Sequence, residues 1–314
     1  MAYKIYSDKD LSQEQWDNFM GDSFFLSTQF ASLWRAKKGE PLYYLDEEDG
    51  AIKAGIGGVV FGKGLFKRFD SMPDGLYGGP FFAPDYDSEK RQKFLVSFGE
   101  YIKSNNYLRA NINKPEENIS IPIFETQTTV EQMLELSSDE YIPSKKEVRK
   151  HIRGSKERGG LVEGITNKND LNSFYKLALK SEKCHFRKLI YPKEFFRRLL
   201  ELSKVNKKIL WLKVTVENKM IASQITFFEK DKALNWAFYF DKNYSFYKPA
   251  YLLVDYALNH SIKNDIKYFS MGATPENIES VKKYKERWGC VEQFYNNYTY
   301  RSFLGRLICG WRRR

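Results

Sequence analysis

The sequence is poor in cysteine. Cys184, Cys290 and Cys309 lie far apart, are odd in number and form no C-x-x-C pair. This argues against a disulfide framework or a zinc site and predicts a reducing compartment. No apolar run approaches the roughly 18 residues that a membrane-crossing helix needs. The residues from Met1 to Asp8 lack the apolar stretch of a secretory signal, so a cytoplasmic protein is expected. With only 20 Gly and 10 Pro in 314 residues, collagen-like and low-complexity architectures are excluded. Aromatics, by contrast, are abundant. The 24 Phe, 21 Tyr and 6 Trp supply a large core and exclude a disordered chain. The length fits about two domains.

The formal net charge of +11 is concentrated. Residues 144–159 hold Lys145, Lys146, Arg149, Lys150, Arg153, Lys156 and Arg158 against Glu147 and Glu157, a net +5. Residues 301–314 hold five arginines and no acid, another +5. The rest of the chain is nearly neutral. Two basic elements on a neutral body suit a polyanionic partner or an acidic membrane, or simply solvated surface. In the second element Phe303, Leu304, Leu307, Ile308 and Trp311 fall on one helical face. A basic amphipathic helix of this kind is either interfacial or docked on the chain's own core.

Periodicity predicts a strand at 3–7 and a helix opened by Ser12, with Gln15 completing a capping box. A second helix is opened by Thr28, and a hairpin turns at Asp49-Gly50. Residues 88–104 read as a helix with Phe94, Leu95, Phe98 and Ile102 as its stripe, and 107–112 as a strand. The polar stretch 113–145 reads as a joint. The second half repeats the order. Helices are expected at 169–182 and 192–206, and strands at 209–217, 219–229 and 233–240. A helix at 250–263, a strand at 266–270, a helix at 276–288 and a strand at 290–300 follow. Two related α/β halves are implied.

That order in the second half resembles the GNAT acyltransferase fold. Four local sequences are similar to the FemABX-type branch, in which two GNAT-like domains are fused. They are Phe25–Trp34, Tyr77-Gly78-Gly79-Pro80, the basic run at 144–159, and Ser280–Gly289 with its Tyr284-Lys285 pair. The resemblance implies an α/β (α+β) fold of two GNAT-like domains, each a mixed, mostly antiparallel sheet flanked by helices. The expected bounds are 1–125 and 126–300, with a tail at 301–314. It also implies N-acyl transfer from a polyanionic donor, acyl-CoA or aminoacyl-tRNA, to an amine of an amino-sugar or lipid-linked envelope precursor. A cytoplasmic enzyme, peripheral at the inner face of the membrane, is expected. No metal is expected. The loop 241–250 lacks the glycines that GNAT enzymes usually carry there. Only about ten residues, 183–192, join the two helices, so the long helical arm of cross-bridge enzymes is missing. The first departure weighs against a CoA donor, because a glycine-free loop lets the backbone approach a pyrophosphate less closely. The second points away from a cross-bridge enzyme to a smaller N-acyltransferase, for which acyl-CoA is the expected donor. The alternatives are an aminoacyl-tRNA-dependent peptidyltransferase and a non-catalytic binder of acidic lipid or nucleic acid.

Lys285 is the foremost candidate. It falls on the stripe of Ile278, Val281 and Trp288, where a lysine is desolvated, and it matches the family's signature lysine. It would polarise the acyl carbonyl or hold a phosphate, unless it snorkels at the stripe's edge. Tyr247, Lys248, Pro249, Ala250 and Tyr251 open a helix whose first turn can receive donor phosphates, or which proline merely starts. Alternation puts Trp236 on the face of Phe238, with Tyr239 opposite. Tyr239 is a candidate acid and Trp236 a substrate contact; both also suit a core. Asp74 with Tyr77, Gly78 and Gly79 makes a loop where a carboxylate can bind an amine or act as base, or a plain turn. His185 and Arg187 are candidate acceptor ligands.

Overall fold

Local chemistry sets the elements in the first part of the chain. β1 (Lys4–Ser7) leads to α1 (Gln13–Met20), where the Ser12 hydroxyl accepts from the Gln15 amide. α2 (Thr28–Ser32) is capped by Ser27 rather than opened by Thr28 as its cap. It tightens into a 3-10 turn over Leu33–Lys37. β2 (Gly39–Glu48) and β3 (Ala51–Phe61) form the expected hairpin, with positive φ at both Asp49 and Gly50. β4 (Arg68–Asp70) and β5 (Phe81–Phe82) follow. α3 (Ser88–Ser104) is capped by Asp87 and buries Phe94, Leu95, Phe98 and Ile102. Each buried phenyl there contributes about 1.5–3 kcal/mol. β6 (Arg109–Asn113) closes this part.

The segment read as a polar joint carries an 11-residue strand, β7 (Glu125–Glu135). Next come α4 (Lys146–Glu157), β8 (Leu161–Gly164), α5 (Lys168–Cys184), α6 (Lys193–Val205), β9 (Ile209–Val216) and β10 (Lys219–Glu229). β11 (Lys232–Phe240), α7 (Pro249–Ile262), β12 (Tyr268–Ala273), α8 (Glu279–Arg287), β13 (Val291–Arg301) and α9 (Phe303–Trp311) complete the chain. This computed structural model describes residues 3–136, 140–274 and 278–311. Arg312, Arg313 and Arg314, the side chain of Trp311, and the first two residues of the helix expected at 276–288 lie outside the described residues.

Contacts divide the chain into two units, Met1–Thr129 with Phe294–Arg314, and Val130–Gln293. Each holds a mixed run of strands. In the first unit the strand order is β1-β2-β3-β4-β6-β13, with β5 beside β3. In the second it is β8-β9-β10-β11-β12-β7. Strand senses match position by position. Three antiparallel pairs are followed by one parallel pair, β4–β6 or β11–β12, and then one antiparallel closing pair. The parallel step needs a crossover helix, and α3 and α7 supply it. α7 is buried nearly all round; Leu252, Leu253, Val254, Ala257 and Leu258 pack into the second unit's core. The two halves are therefore built to one plan. Among the described residues no helix is long and apolar enough to cross a membrane.

Candidate active site

The second unit's sheet opens at one point. β11 and β12 pair only through Lys232–Tyr268, Ala233–Phe269 and Leu234–Ser270. Both strands then carry a bulge. On β11, Ala237 faces Ile225 and Asn235 faces Thr226, so Trp236 is an extra residue. On β12, Ser270 faces Met133 while Ala273 faces Glu131, which leaves one extra residue at the Met271-Gly272 step. Gly272 has φ +73°, the left-handed conformation such a bulge uses. Beyond Leu234 and Ser270 the parallel pairing ends, and backbone groups are released for other partners.

Lys285 takes up two of them. Its ammonium donates to the Gly272 carbonyl at 2.7 Å and the Ala273 carbonyl at 3.0 Å. The lysine is buried, on the inner face of α8 with Trp288. Ile278, expected on that stripe, precedes the helix and is exposed. Tyr284 takes its place, with its ring edge-on to Tyr251 at 5.4 Å. The strand end is braced from behind: the Gly272 amide donates to the Ser270 hydroxyl at 3.1 Å, and that hydroxyl donates to buried Glu131 at 2.6 Å. Glu131, Ser270 and Gly272 were not among the sequence candidates. The cation is thus held by backbone dipoles whose direction the bulge fixes.

Tyr247, Lys248, Pro249, Ala250 and Tyr251 enter α7. Residues 242–247 form a 3-10 turn, and Lys248 takes φ 50°, ψ 45°, where glycine is favoured. Pro249 stands at the first helical position. Tyr251 is buried between Tyr284, Trp288 and His151, so its ring belongs to the core and its backbone to the helix turn. The Ser155 hydroxyl donates to the Tyr247 carbonyl and ties α4 to this loop. The Arg158 guanidinium sits 4.7 Å over the Phe246 ring, and its Nε is buried without a hydrogen-bond partner. A helix N-terminus with Lys248 and an orphaned Arg158 nitrogen beside it fits the phosphates of an acyl donor.

The opposite face of the same sheet is aromatic. Tyr239 packs edge-on to Phe174 at 5.6 Å, and Trp236 to Tyr191 at 5.0 Å. Both therefore face α5 and α6, while Phe238 stacks on Phe240 in the α7 core. Alternation had put Trp236 with Phe238; the bulge reverses it. Burial pushes the Tyr239 phenol well above its ordinary value; nearby Glu182 adds to this and Arg187 opposes it. Arg187 is exposed and ion-paired to Glu182 at 2.8 Å. His185 caps α5 and is exposed.

In the first unit, Asp74 has φ 58° and pairs with Lys37 at 3.3 Å. Lys37 is a partner that the sequence reading missed. Tyr77 lies beneath the Lys114 ammonium, 4.8 Å from the ring centre, and Tyr295 is on the same cation at 4.2 Å. Gly78 packs its backbone on Ser71 where no Cβ would fit, and its amide donates to the Asn113 carbonyl at 2.7 Å. Gly79 lies against the Phe81 ring and precedes Pro80 through a cis peptide. Among the described residues no group of three or more His, Cys, Asp or Glu side chains is placed to hold a metal ion.

Residues 144–286 match the family of acetyltransferase (GNAT) domains. The parted parallel strands, the crossover helix and the bulged strand ends lie within that match, and the chain carries an acyltransferase domain of that type over this stretch. Its fold is that of the FemABX branch. It superposes on the crystal structure of FemX with a TM-score of 0.72, over 100% of both chains at 10% identity. A C-terminal domain described as that of a lysylphosphatidylglycerol synthetase from Agrobacterium fabrum gives 0.61, at 12% identity, over 95% of this chain and 93% of that one. A tandem GNAT protein from the clavulanic acid biosynthesis pathway gives 0.54, at 10% identity, over 96% and 98%. No curated protein sequence matches this one significantly.

Proposed function

We propose that this enzyme transfers an acyl group from acyl-CoA to an amine of an amino-sugar or cell-envelope precursor. The observation that carries the reading is the buried Lys285 ammonium, fixed by two carbonyls where β11 and β12 part, inside the GNAT-matching segment. The donor, when bound, supplies an activated thioester carbonyl. The chain supplies orientation and charge. Lys248, Arg158 and the first turn of α7 hold donor phosphates. Lys285 stabilises the negative charge that develops on the carbonyl oxygen as the amine attacks; because it is already oriented, little reorganisation is needed. No covalent enzyme intermediate is required, and Cys184 is not a nucleophile. Tyr239 and Trp236, with Arg187 and His185 at the helix connection, line the aromatic face as acceptor contacts. Asp74 with Tyr77, Gly78 and Gly79 forms an acceptor-binding loop in the first unit.

A second reading, transfer from aminoacyl-tRNA, is supported by the glycine-free loop and the basic α4, whose Lys145, Lys146 and Lys150 are exposed. Calorimetric titration with acyl-CoA, followed by transfer assays with labelled acyl-CoA or aminoacyl-tRNA, separates the two. Acyl-CoA binding with RNase-resistant turnover supports the first reading. RNase-sensitive turnover without acyl-CoA binding overturns it in favour of the second.

A further inference from the structure

Among the described residues of the α9 stripe, Phe303, Leu304 and Leu307 are not docked on the protein's core. Phe303 and Leu307 are 80% and 53% exposed, and Leu304 is exposed as well. The helix is held instead by its opposite side. Gly305 packs on the Leu108 backbone where no Cβ would fit, and its amide donates to the Ser302 hydroxyl. A second exposed apolar pair lies in a distant part of the sequence. Leu65 and Phe66 sit on the turn before β4 and are 62% and 65% exposed.

Leu108 brings the two segments together. Its amide donates to the Lys67 carbonyl at 2.7 Å, and its own carbonyl accepts from the Ser302 amide at 3.1 Å. The turn and the start of α9 therefore flank one residue at the beginning of β6. Both segments are basic. Residues 62–69 carry Lys63, Lys67 and Arg68 without an acid, and residues 301–311 carry Arg301 and Arg306 without one. The acids paired with them are few: Glu125 is shared by Arg301 and Arg306, and Asp70, beneath Arg68, is buried.

We propose that the Leu65–Phe66 turn and the exposed stripe of α9 form one membrane-docking face that takes an anionic lipid surface. Five exposed apolar side chains on two segments that also carry unopposed cations match the interfacial pattern of apolar insertion plus attraction to acidic headgroups. A second copy of this chain suits the face less well, because a symmetric contact would set like charges against each other. The proposal rests on the amphipathic reading of residues 301–314 and adds the turn at 62–69. It does not depend on the transfer reaction.

The test is flotation of the full chain with vesicles of phosphatidylglycerol and phosphatidylcholine in equal parts, and with phosphatidylcholine alone. Binding is expected on the acidic vesicles and to weaken with salt. Leu65→Ser with Phe66→Ser, and separately Phe303→Ser with Leu307→Ser, should each lower the partition coefficient about tenfold or more. Circular dichroism and the urea midpoint should stay unchanged, since all four side chains are exposed. Lys63→Gln with Lys67→Gln should weaken binding to the acidic vesicles only. Wild-type partitioning by the Leu65/Phe66 variant would overturn the two-segment face, even if the α9 variant failed to bind. Equal binding to both vesicle types would overturn the charge requirement. A dimer in sedimentation that the same substitutions dissociate would assign the face to a second copy and overturn the proposal.

Discussion

Lys285 and Gly272 are joined by a 2.7 Å hydrogen bond from the ammonium to the backbone carbonyl, so a buried cation takes its position from a glycine's dihedral angles. Gly272 has φ +73°, and a Cβ there would meet nothing nearer than the Asn235 carbonyl oxygen at 3.9 Å. Gly272→Ala is therefore penalised by backbone conformation rather than by a clash. It should cost about 1–2 kcal/mol, read as a lower urea midpoint. If the bulge relaxes to remove the strain, the carbonyl turns and the rate of acyl transfer drops as well.

Lys285→Ala should lower the transfer rate by about 10²–10³-fold, the scale of losing one oriented donor to a developing oxyanion. Lys285→Met keeps most of the packed volume and removes only the charge. It should restore the urea midpoint toward wild type without restoring turnover. Recovery of activity in Lys285→Met would show that the side chain only fills space.

Asp74 and Lys37 are partly screened, with side chains 33% and 16% exposed. A double-mutant cycle with Asp74→Ala and Lys37→Ala should show no more than about 1 kcal/mol of coupling in stability. If Asp74 holds the acceptor amine, Asp74→Ala should raise the KM for the acceptor well beyond what that coupling explains. An unchanged KM would return Asp74 to the role of a turn residue.

Cys290 and Cys184 should differ in reactivity. Burial pushes the Cys290 thiol up to about 12, with Lys285 opposing the shift, while Cys184 is exposed. At about pH 8, peptide mapping after alkylation should find Cys184 modified in the native protein and Cys290 only after unfolding. The raised value has a sign in stability. The folded state holds the proton more tightly, so the contribution is complete below the unfolded value of about 8.5. It is lost as pH rises toward the folded value. The urea midpoint of wild type should therefore fall more steeply above about pH 8.5 than that of Cys290→Ala.

Much of the fold was legible because its signals are local. The Asp49-Gly50 turn, the Asp87-capped helix with its Phe94–Phe98 stripe and the β9–β10 hairpin stand where periodicity placed them. β7 was hidden because Glu125 to Thr129 are all polar and read as a joint; only the run of threonines hinted at a strand. Of the site, Lys285 was legible as a lysine on an apolar stripe. The bulges were not. Counting by twos assumes no inserted residue, so one extra residue at Trp236 moved that side chain to the other face. Glu131 and Ser270 gave no signal because their importance arises only from pairing between β7 and β12, and the two residues lie 139 apart in sequence.

The closing strands have a further consequence. The first unit is completed by Asn297–Arg301, which pair with β6. During synthesis this run of strands must wait, one strand short, until residues 297–301 have emerged. A fragment cut to the family-matching stretch 144–286 would in turn leave β12 without β7. Only the second unit, Val130–Gln293, is one contiguous piece; the first, Met1–Thr129 with Phe294–Arg314, has to be made as a rearranged or two-piece polypeptide.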